Sequence, residues 1–183
     1  LLASERYGET LASLWLDTVR YAETNGFERD NKKPYIWRYR DYVIKAFNDN
    51  KPYDRFVAEQ LAGDELPDSD VAAKVATGFM TLMQRDDEPA DREQAHSDMI
   101  SDIVDVSSEA FLGTTMGCAK CHDHKVDPIT QADYYSLMSF FDSIGLSHLQ
   151  EPNRAWYDKA DARAREESAN ALAEAVSYTH LRA

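Results

Sequence analysis

The chain has 183 residues, a net charge of −13 and an apolar fraction of 43%, which is ordinary for a globular protein and excludes a disordered or fibrous class. A chain of this length buries roughly 70% of its unfolded surface as one domain, so bulk stability requires neither disulfides nor a metal. No apolar run approaches the roughly 20 residues that span a bilayer. The 10 Tyr, 7 Phe and 3 Trp residues predict an aromatic-rich core.

The acidic residues concentrate in the middle third of the chain. Residues 1–60 contain 10 basic residues (Lys and Arg) and 10 acidic residues (Asp and Glu). Residues 61–110 contain 3 basic and 13 acidic residues, and residues 111–183 contain 7 basic and 10 acidic residues. Such a negative field repels nucleic acid and anionic membranes, and it favours a cationic partner or bound cations. A solvated acidic helix face that serves only solubility explains the same run.

Helical periodicity dominates the sequence and predicts an all-α fold, an irregular bundle of about six helices. The first helix is predicted from about Ser4 to Thr24, before the stop signal Asn25-Gly26. Its inward face is predicted to contain Leu11, Leu14, Trp15, Val19 and Ala22. The second helix presents the apolar positions Tyr35, Tyr39, Tyr42, Val43, Ala46 and Phe47.

The third and fourth helices are shorter. The third is predicted to open at Pro52, a residue that is tolerated in a first helical turn, and to end before Gly63. Asp70 is the predicted cap of a fourth helix that continues to about Met83. Both present apolar side chains at helical spacing, which favours burial of one face.

The fifth and sixth helices flank the cysteine motif. The fifth is predicted from about Arg92 to Leu112, and it leads the chain to Gly113. The sixth begins after Thr130, which has the spacing of a capping box with Asp133. This last helix is strongly apolar, through Tyr134, Leu137, Met138, Phe140 and Phe141.

The composition changes after the sixth helix. Residues 1–150 are predicted to form the helical domain, and residues 151–176 the start of an Ala/Glu/Arg-rich linker or coiled-coil-like helix. Residues 177–183 resemble the read-through of a sequencing adaptor, and we expect this end to be non-native. Because the chain begins with Leu rather than Met, we also expect a fragment from which the true start and any export signal are missing.

The stretch Cys118-Ala119-Lys120-Cys121-His122 has the Cys-x-x-Cys-His arrangement that is associated with c-type haem attachment. Two thiols three residues apart can each form a thioether to one haem vinyl group, and the next residue then lies under the iron. Cys118 and Cys121 are therefore the predicted cofactor-binding residues, and His122 is the predicted iron ligand. Gly117 fits a close backbone approach before the turn.

Three further interpretations of the motif stay open. Zinc could be bound by both cysteines and two of His122, His124, His96 and His148, although the adjacent Cys121 and His122 are poorly spaced for a tetrahedral site. A thioredoxin-like thiol pair would require a preceding strand, whereas the preceding segment has a helical pattern. The cysteines could also pack without any cofactor.

The histidine and methionine residues around the motif do not single out a second iron ligand. His124 is too near His122 to reach the opposite face of a porphyrin, and we expect it to bond a haem propionate or to hold the turn before Pro128. The distal candidates are Met80, Met83, His96, Met99, Met116, Met138 and His148. Methionine at helical core spacing more often fills gaps. A five-coordinate iron, or a ligand from a missing domain, is equally compatible with the sequence.

Five segments carry a resemblance to a known family: SLWLDTVRYAETNGFERD, WRYRDYVIKAFNDNKPYDRFVAEQLAGDELP, ATGFM, DDEPAD and FLGTTMGCAKCHDHKVDPITQADYYSLMSFF. Together they resemble the planctomycete cytochrome-associated domain of unknown function, from about Leu1 to Phe141. The resemblance implies a haem c binding module of a large exported bacterial protein, commonly downstream of a cytochrome c domain. It maps the family's haem motif onto Cys118, Cys121 and His122 and implies no established reaction.

The favoured hypothesis is a module that binds one covalent haem c and transfers electrons in the periplasm or cell envelope. Its expected partner is a cytochrome c domain or another redox protein with a cationic surface, and no nucleic acid is expected. A haem enzyme with an open iron site is a competing hypothesis, with Arg92, His96 or His148 as acid-base residues. A zinc-stabilised domain is also compatible with the sequence. So is a carbohydrate-binding domain that uses Tyr35, Trp37 and Tyr39 near Arg38 and Arg40, although core packing explains those aromatics better.

Overall fold

The computed structural model describes Ser4 and residues 6–144. In this part of the chain the secondary structure is helical, apart from one isolated β-bridge between Thr24 and Lys32. The helices are α1 (Arg6–Thr18), α2 (Trp37–Asn48), α3 (Tyr53–Ala62), α4 (Val71–Ala76), α5 (Arg92–Ser107) and α6 (Gln131–Ser139). The predicted all-α class is confirmed. The helix expected in residues 151–176 and the end at 177–183 lie outside the described residues. No helix in the described part is long and apolar enough to cross a membrane.

Helix α1 is shorter than the sequence predicts, because it ends at Thr18 rather than near Thr24. The backbone of Arg20 takes a left-handed conformation with φ of 58°. The amide of Tyr21 then donates to the carbonyl of Leu16 at 2.8 Å. This is the hydrogen bond of a Schellman motif, which satisfies the last carbonyls of a helix. The helix therefore stops at a non-glycine residue that the sequence pattern does not mark as a stop.

The buried face of α1 is also rotated from the predicted one. Gly8 and Ala12 are buried, whereas Leu14 is 63% exposed and was wrongly predicted to face inward. Val19, which was predicted to face inward, is buried just after the helix ends. A Cβ atom on Gly8 would lie 2.6 Å from the carbonyl oxygen of Ile44 in α2. The small residues thus allow α1 to approach the backbone of α2 closely, and that approach decides which face is covered.

Aromatic rings build the core between α1, α2 and α3. The rings of Trp15 and Phe56 meet edge to face with centroids 5.0 Å apart, and Tyr42 stacks on Phe56 at 6.0 Å. The Trp15 indole donates to the hydroxyl of Tyr39 at 3.0 Å, and that hydroxyl donates to the buried amide oxygen of Gln60. The predicted aromatic-rich core is confirmed, and its buried polar atoms have partners, as burial requires.

Helix α4 begins as predicted and ends early. The Asp70 carboxylate accepts from the amide of Ala73 at 2.7 Å, which is the predicted N-cap. The α-helix stops at Ala76 and continues as a 3-10 turn, Thr77–Thr81, so that it does not reach Met83 as an α-helix. Both threonine hydroxyls of the turn donate to carbonyls three residues back. Such side-chain bonds compete with regular α-helical geometry.

Helix α5 has the predicted start and leads to the cysteine motif through an irregular end. The Asp91 carboxylate caps its first turn. After Ser107 the chain continues as a π turn, Ser108–Leu112, and then reverses at Gly113, whose φ of 65° favours glycine. Leu112, the last residue of the predicted helix, is 68% exposed.

Helix α6 begins with the predicted capping box. The Thr130 hydroxyl accepts from the amide of Asp133, and the Asp133 carboxylate accepts from the amide of Thr130. Tyr134 is fully buried, and Phe141 is buried just after the helix. Phe140, however, is 79% exposed, so the predicted apolar face is narrower than the sequence implies.

A buried carboxylate ties α2 and α3 together. Glu59 accepts from the hydroxyl of Tyr42 at 2.8 Å, from Nε of Arg55 at 2.7 Å, and from the ammonium of Lys51. Burial alone would raise the pKa of Glu59, but the hydrogen bonds from Lys51, Arg55 and Tyr42 outweigh it and hold the pKa below 4.5. The ionised form is therefore the one that stabilises the fold.

We predict that Glu59→Gln lowers the free energy of unfolding by about 2 kcal/mol at pH 7, because it leaves buried donors without their charged acceptor. Urea unfolding measures the difference. Since the folded pKa is depressed, the contribution of Glu59 is present above pH 4.5 and is lost as the pH falls through the folded pKa. The difference in free energy of unfolding between the wild type and Glu59→Gln should therefore decrease in acid.

The matched control is Asp49→Asn, which removes an exposed ion pair with Lys45. Exposed pairs of this kind contribute little, so a change of less than about 0.5 kcal/mol is expected. Equal losses of unfolding free energy in the two variants would contradict the assigned role of Glu59. The same holds if the difference between the wild type and Glu59→Gln stays constant down to about pH 3, well below the ordinary pKa of Glu.

Candidate functional site

The cysteine motif lies on a short 3-10 turn, Gly117–Lys120, between α5 and α6. Within this turn Ala119 is fully buried, and Met116 just before it is also buried. Both belong to a core cluster that joins the turn to α5 and α6: Met83, Met99, Ile100, Ile103, Val104, Met116, Ala119, Tyr134 and Phe141. The turn is thus packed against the domain through its apolar residues.

The two cysteines share one side of this turn. The amide of Cys121 donates to the carbonyl of Cys118 at 3.3 Å, the bond that closes a 3-10 turn. In that geometry the side chains three residues apart eclipse one another. Because Ala119 takes the buried side, Cys118 and Cys121 are both exposed, and their thiols form no disulfide. The structure brings the two predicted attachment residues together at the surface.

His122 is exposed and has one ring nitrogen engaged. Its Nδ1 atom lies 2.7 Å from the carbonyl oxygen of Asp123. A carbonyl oxygen only accepts hydrogen bonds, so we assign the proton to Nδ1. This tautomer leaves the lone pair on Nε2, which is the arrangement of a neutral imidazole that is ready to bind a metal.

His124 has a structural role in the following loop. Its Nδ1 atom accepts from the amide of Asp127 at 2.9 Å, and its own amide donates to the carbonyl of Ile129 at 2.8 Å. The Asp127 carboxylate lies 3.3 Å from the same Nδ1 atom. Because Nδ1 uses its lone pair to accept from the amide, it carries no proton to donate to that carboxylate. His124 therefore holds the turn before Pro128, one of its two predicted roles.

Helix α6 contacts the motif from both sides of Cys121 and His122. The carbonyl of Lys120 accepts from the side-chain amide of Gln131 and from the hydroxyl of Tyr135, each at 3.1 Å. The carboxylate of Asp123 accepts from the backbone amide of Gln131 at 2.9 Å. Sequence reasoning missed these residues. The one available signal is that an Asp lies eight positions before the first residue of a capped helix.

The close approach predicted for Gly117 is to Asp105 of α5. A Cβ atom on Gly117 would lie 3.3 Å from the Asp105 carboxylate, which also accepts from the hydroxyl of Tyr134 at 3.2 Å. Burial raises the pKa of Asp105, against the lowering effect of the Tyr134 hydrogen bond. Burial likewise raises the pKa of Tyr134 to about 12. The carboxyl group of Asp105 in α5 thus lies directly beneath the start of the turn.

The distal candidates that the structure describes have other roles. Met83, Met99 and Met116 are buried members of the core cluster, and the others, Met80 and Met138, pack against it. The Nε2 atom of His96 lies 2.9 Å from the carbonyl oxygen of Ile144 and so donates to it. The remaining candidate, His148, lies outside the described residues.

The zinc and carbohydrate hypotheses meet obstacles in the structure. Among Ser4 and residues 6–144, no group of three His, Cys, Asp or Glu side chains is placed to hold a metal ion. For carbohydrate, Trp37 is 40% exposed with the Arg38 guanidinium 5.0 Å over its ring, but Tyr39 is buried. The aromatic residues of that segment therefore do not form one exposed platform, as a stacking site requires.

The chain belongs to the PSCyt2 family, described as a protein of unknown function (DUF1549), which it matches over residues 1–145. This match covers α1 to α6, including the cysteine turn. No curated protein and no solved structure matches the chain.

We predict that His124→Ala destabilises the domain by about 1 kcal/mol, because the amide of Asp127 loses its acceptor. His122→Ala should change the stability by less than about 0.5 kcal/mol, since His122 is exposed and its ring bonds only the next residue. Urea unfolding of the two variants measures both effects. His124→Asn, which keeps a side-chain acceptor for a nearby amide, should recover most of the loss. The opposite order of the two alanine variants would contradict these roles.

Proposed function

We propose that this domain binds one covalent haem c through Cys118, Cys121 and His122 and serves in electron transfer. The observation that carries the proposal is the placement of two exposed thiols on one side of a 3-10 turn, followed directly by an exposed imidazole. Thioether attachment requires accessible thiols at this spacing and an imidazole in the next position.

The residues fit the group in three respects. Both thiols are unbonded, so each is available to form a thioether. The hydrogen bond from Nδ1 of His122 to Asp123 leaves Nε2 as the coordinating atom. All five methionines belong to the core cluster or pack against it, which supports His122 as the proposed iron ligand. When bound, a haem iron supplies one-electron chemistry by alternating between its ferrous and ferric states.

Electron transfer is favoured over catalysis by the exposure of the turn. An open surface position suits contact with a redox partner, whereas haem catalysis benefits from a water-excluded pocket with a positioned acid or base. The acid-base candidates within the described residues do not meet this need. His96 is bonded to a backbone carbonyl, and Arg92 is exposed at the start of α5.

The partner and the compartment follow from the same proposal. Haem c attachment takes place on the outward side of bacterial membranes, so we propose an exported protein of the periplasm or cell envelope, with a cytochrome c domain or a similar redox protein as partner. The negative charge of residues 61–110 would attract a cationic surface. Several of these acids are engaged within the fold, as in Arg20–Asp102, Arg29–Glu88 and Arg55–Asp68. We therefore expect modest steering that weakens with salt.

The test is to express the whole chain in a bacterial host with a haem-attachment system and to record its absorption spectrum after denaturation. We predict a haem band that stays with the polypeptide in the wild type and is lost in Cys118→Ser with Cys121→Ser. His122→Ala should retain some attached haem but show an altered spectrum in the native state, because the axial ligand changes. A wild-type chain without attached haem would refute the proposal.

The native spectrum separates electron transfer from catalysis. A filled sixth position that resists cyanide and carbon monoxide favours electron transfer, and a fast response to both ligands favours an enzyme with an open iron site. Ser136→Ala is a suitable control, because its hydroxyl bonds only within α6. This variant should match the wild type in both measurements.

A further inference from the structure

We infer that Gln131 and Tyr135 of α6 are positioning residues, which set the geometry of the Cys-x-x-Cys-His turn before any cofactor is attached. The consequence for haem attachment rests on the proposed function above. The ordering of the turn by α6 concerns the chain alone and can be measured without haem.

The first step is the shared acceptor of the two side chains. Gln131 and Tyr135 are four residues apart and therefore lie on one face of α6. Both donate to the carbonyl of Lys120, each at 3.1 Å. A carbonyl oxygen has two lone pairs, so both hydrogen bonds can form at once. Lys120 lies between the two cysteines, and its carbonyl carbon is bonded directly to the nitrogen of Cys121.

The second step is the anchor on the other side of the motif. Asp123 directly follows His122, and its carboxylate accepts from the backbone amide of Gln131 at 2.9 Å. The carbonyl of the same Asp123 accepts from Nδ1 of His122 at 2.7 Å. Cys121 and His122 therefore lie between two residues that α6 holds, and the orientation of the imidazole depends on one of them.

The third step is the rigidity of the helix that provides these contacts. The capping box of Thr130 and Asp133 fixes the first turn of α6. Tyr134, which lies between the two proposed positioning residues, is fully buried and bonds Asp105 of α5. The donors are thus presented from a helix that is itself packed and capped, as an accurate attachment site requires. Preorganisation of this kind avoids an ordering cost when the cofactor reacts.

The test compares the wild-type chain with Gln131→Met plus Tyr135→Phe, which removes both side-chain donors and keeps their size. The matched control is Gln94→Met plus Tyr53→Phe. It removes one amide donor from α5 and one tyrosine hydroxyl that is bonded to a backbone carbonyl at 2.9 Å. Each double variant loses one side-chain amide donor and one tyrosine hydroxyl donor, so the two should have similar global stability.

The first readout is backbone order in the 183-residue chain without haem, from ¹⁵N relaxation of Cys121, His122 and Asp123. We expect order parameters near about 0.85 in the wild type and the control, and below about 0.6 in the Gln131 and Tyr135 variant. Unchanged order in that variant would overturn the inference. Should the double variant fail to fold, Tyr135→Phe alone should give a smaller loss of order at the same residues, and no loss there would also overturn the inference.

The second readout is the yield of covalent haem during expression with an attachment system. We expect a yield about thirtyfold lower in the Gln131 and Tyr135 variant than in the control, the factor that two hydrogen bonds of typical net strength represent. A looser turn with a control-level yield would overturn the positioning role. If the wild type binds no haem, the proposed function fails, and the relaxation measurement then decides alone whether α6 orders the turn.

Discussion

The burial of Ala119 is the constraint on which the candidate site depends. A four-residue 3-10 turn has little surface of its own to bury, so its orientation is decided by the side chain that enters the core. With Ala119 fully buried against α5 and α6, the eclipsed pair Cys118 and Cys121 lies about a third of a turn away, on an exposed side. His122 then leaves the turn at the surface as well. One small apolar side chain therefore determines the accessibility of all three chemical groups.

The remainder of the domain supports this arrangement through ion pairs and aromatic packing. The acidic middle third first suggests a partner surface, but part of its charge joins segments of the fold. Asp102 of α5 forms two short hydrogen bonds with Arg20, which follows the end of α1, and Asp68 pairs with Arg55 of α3. Exposed pairs contribute little stability each. Their effect here is to fix the ends of helices. These acidic side chains therefore have partners within the fold and are less available to a binding partner.

Local rules predicted the features that depend on local chemistry. The caps at Asp70 and at Thr130 with Asp133 follow from side chains that satisfy neighbouring amides, and a sequence shows these directly. The end of α1 at Thr18 and the exposure of Leu14 could not be predicted, because they depend on the approach of distant helices. In the site, the sequence contained the spacing of the motif but not the contacts from α6, since these join positions eight to fifteen apart through a loop whose path is set by the fold.

The central claim, that Cys118 and Cys121 attach one haem, is tested most directly by peptide mass spectrometry. The chain would be produced with a haem-attachment system, reduced and cut with trypsin after Lys120, which places the two cysteines on different peptides. We predict that these peptides remain joined through one haem, because each thiol forms a separate thioether. Two separate peptides with unmodified thiols would contradict it.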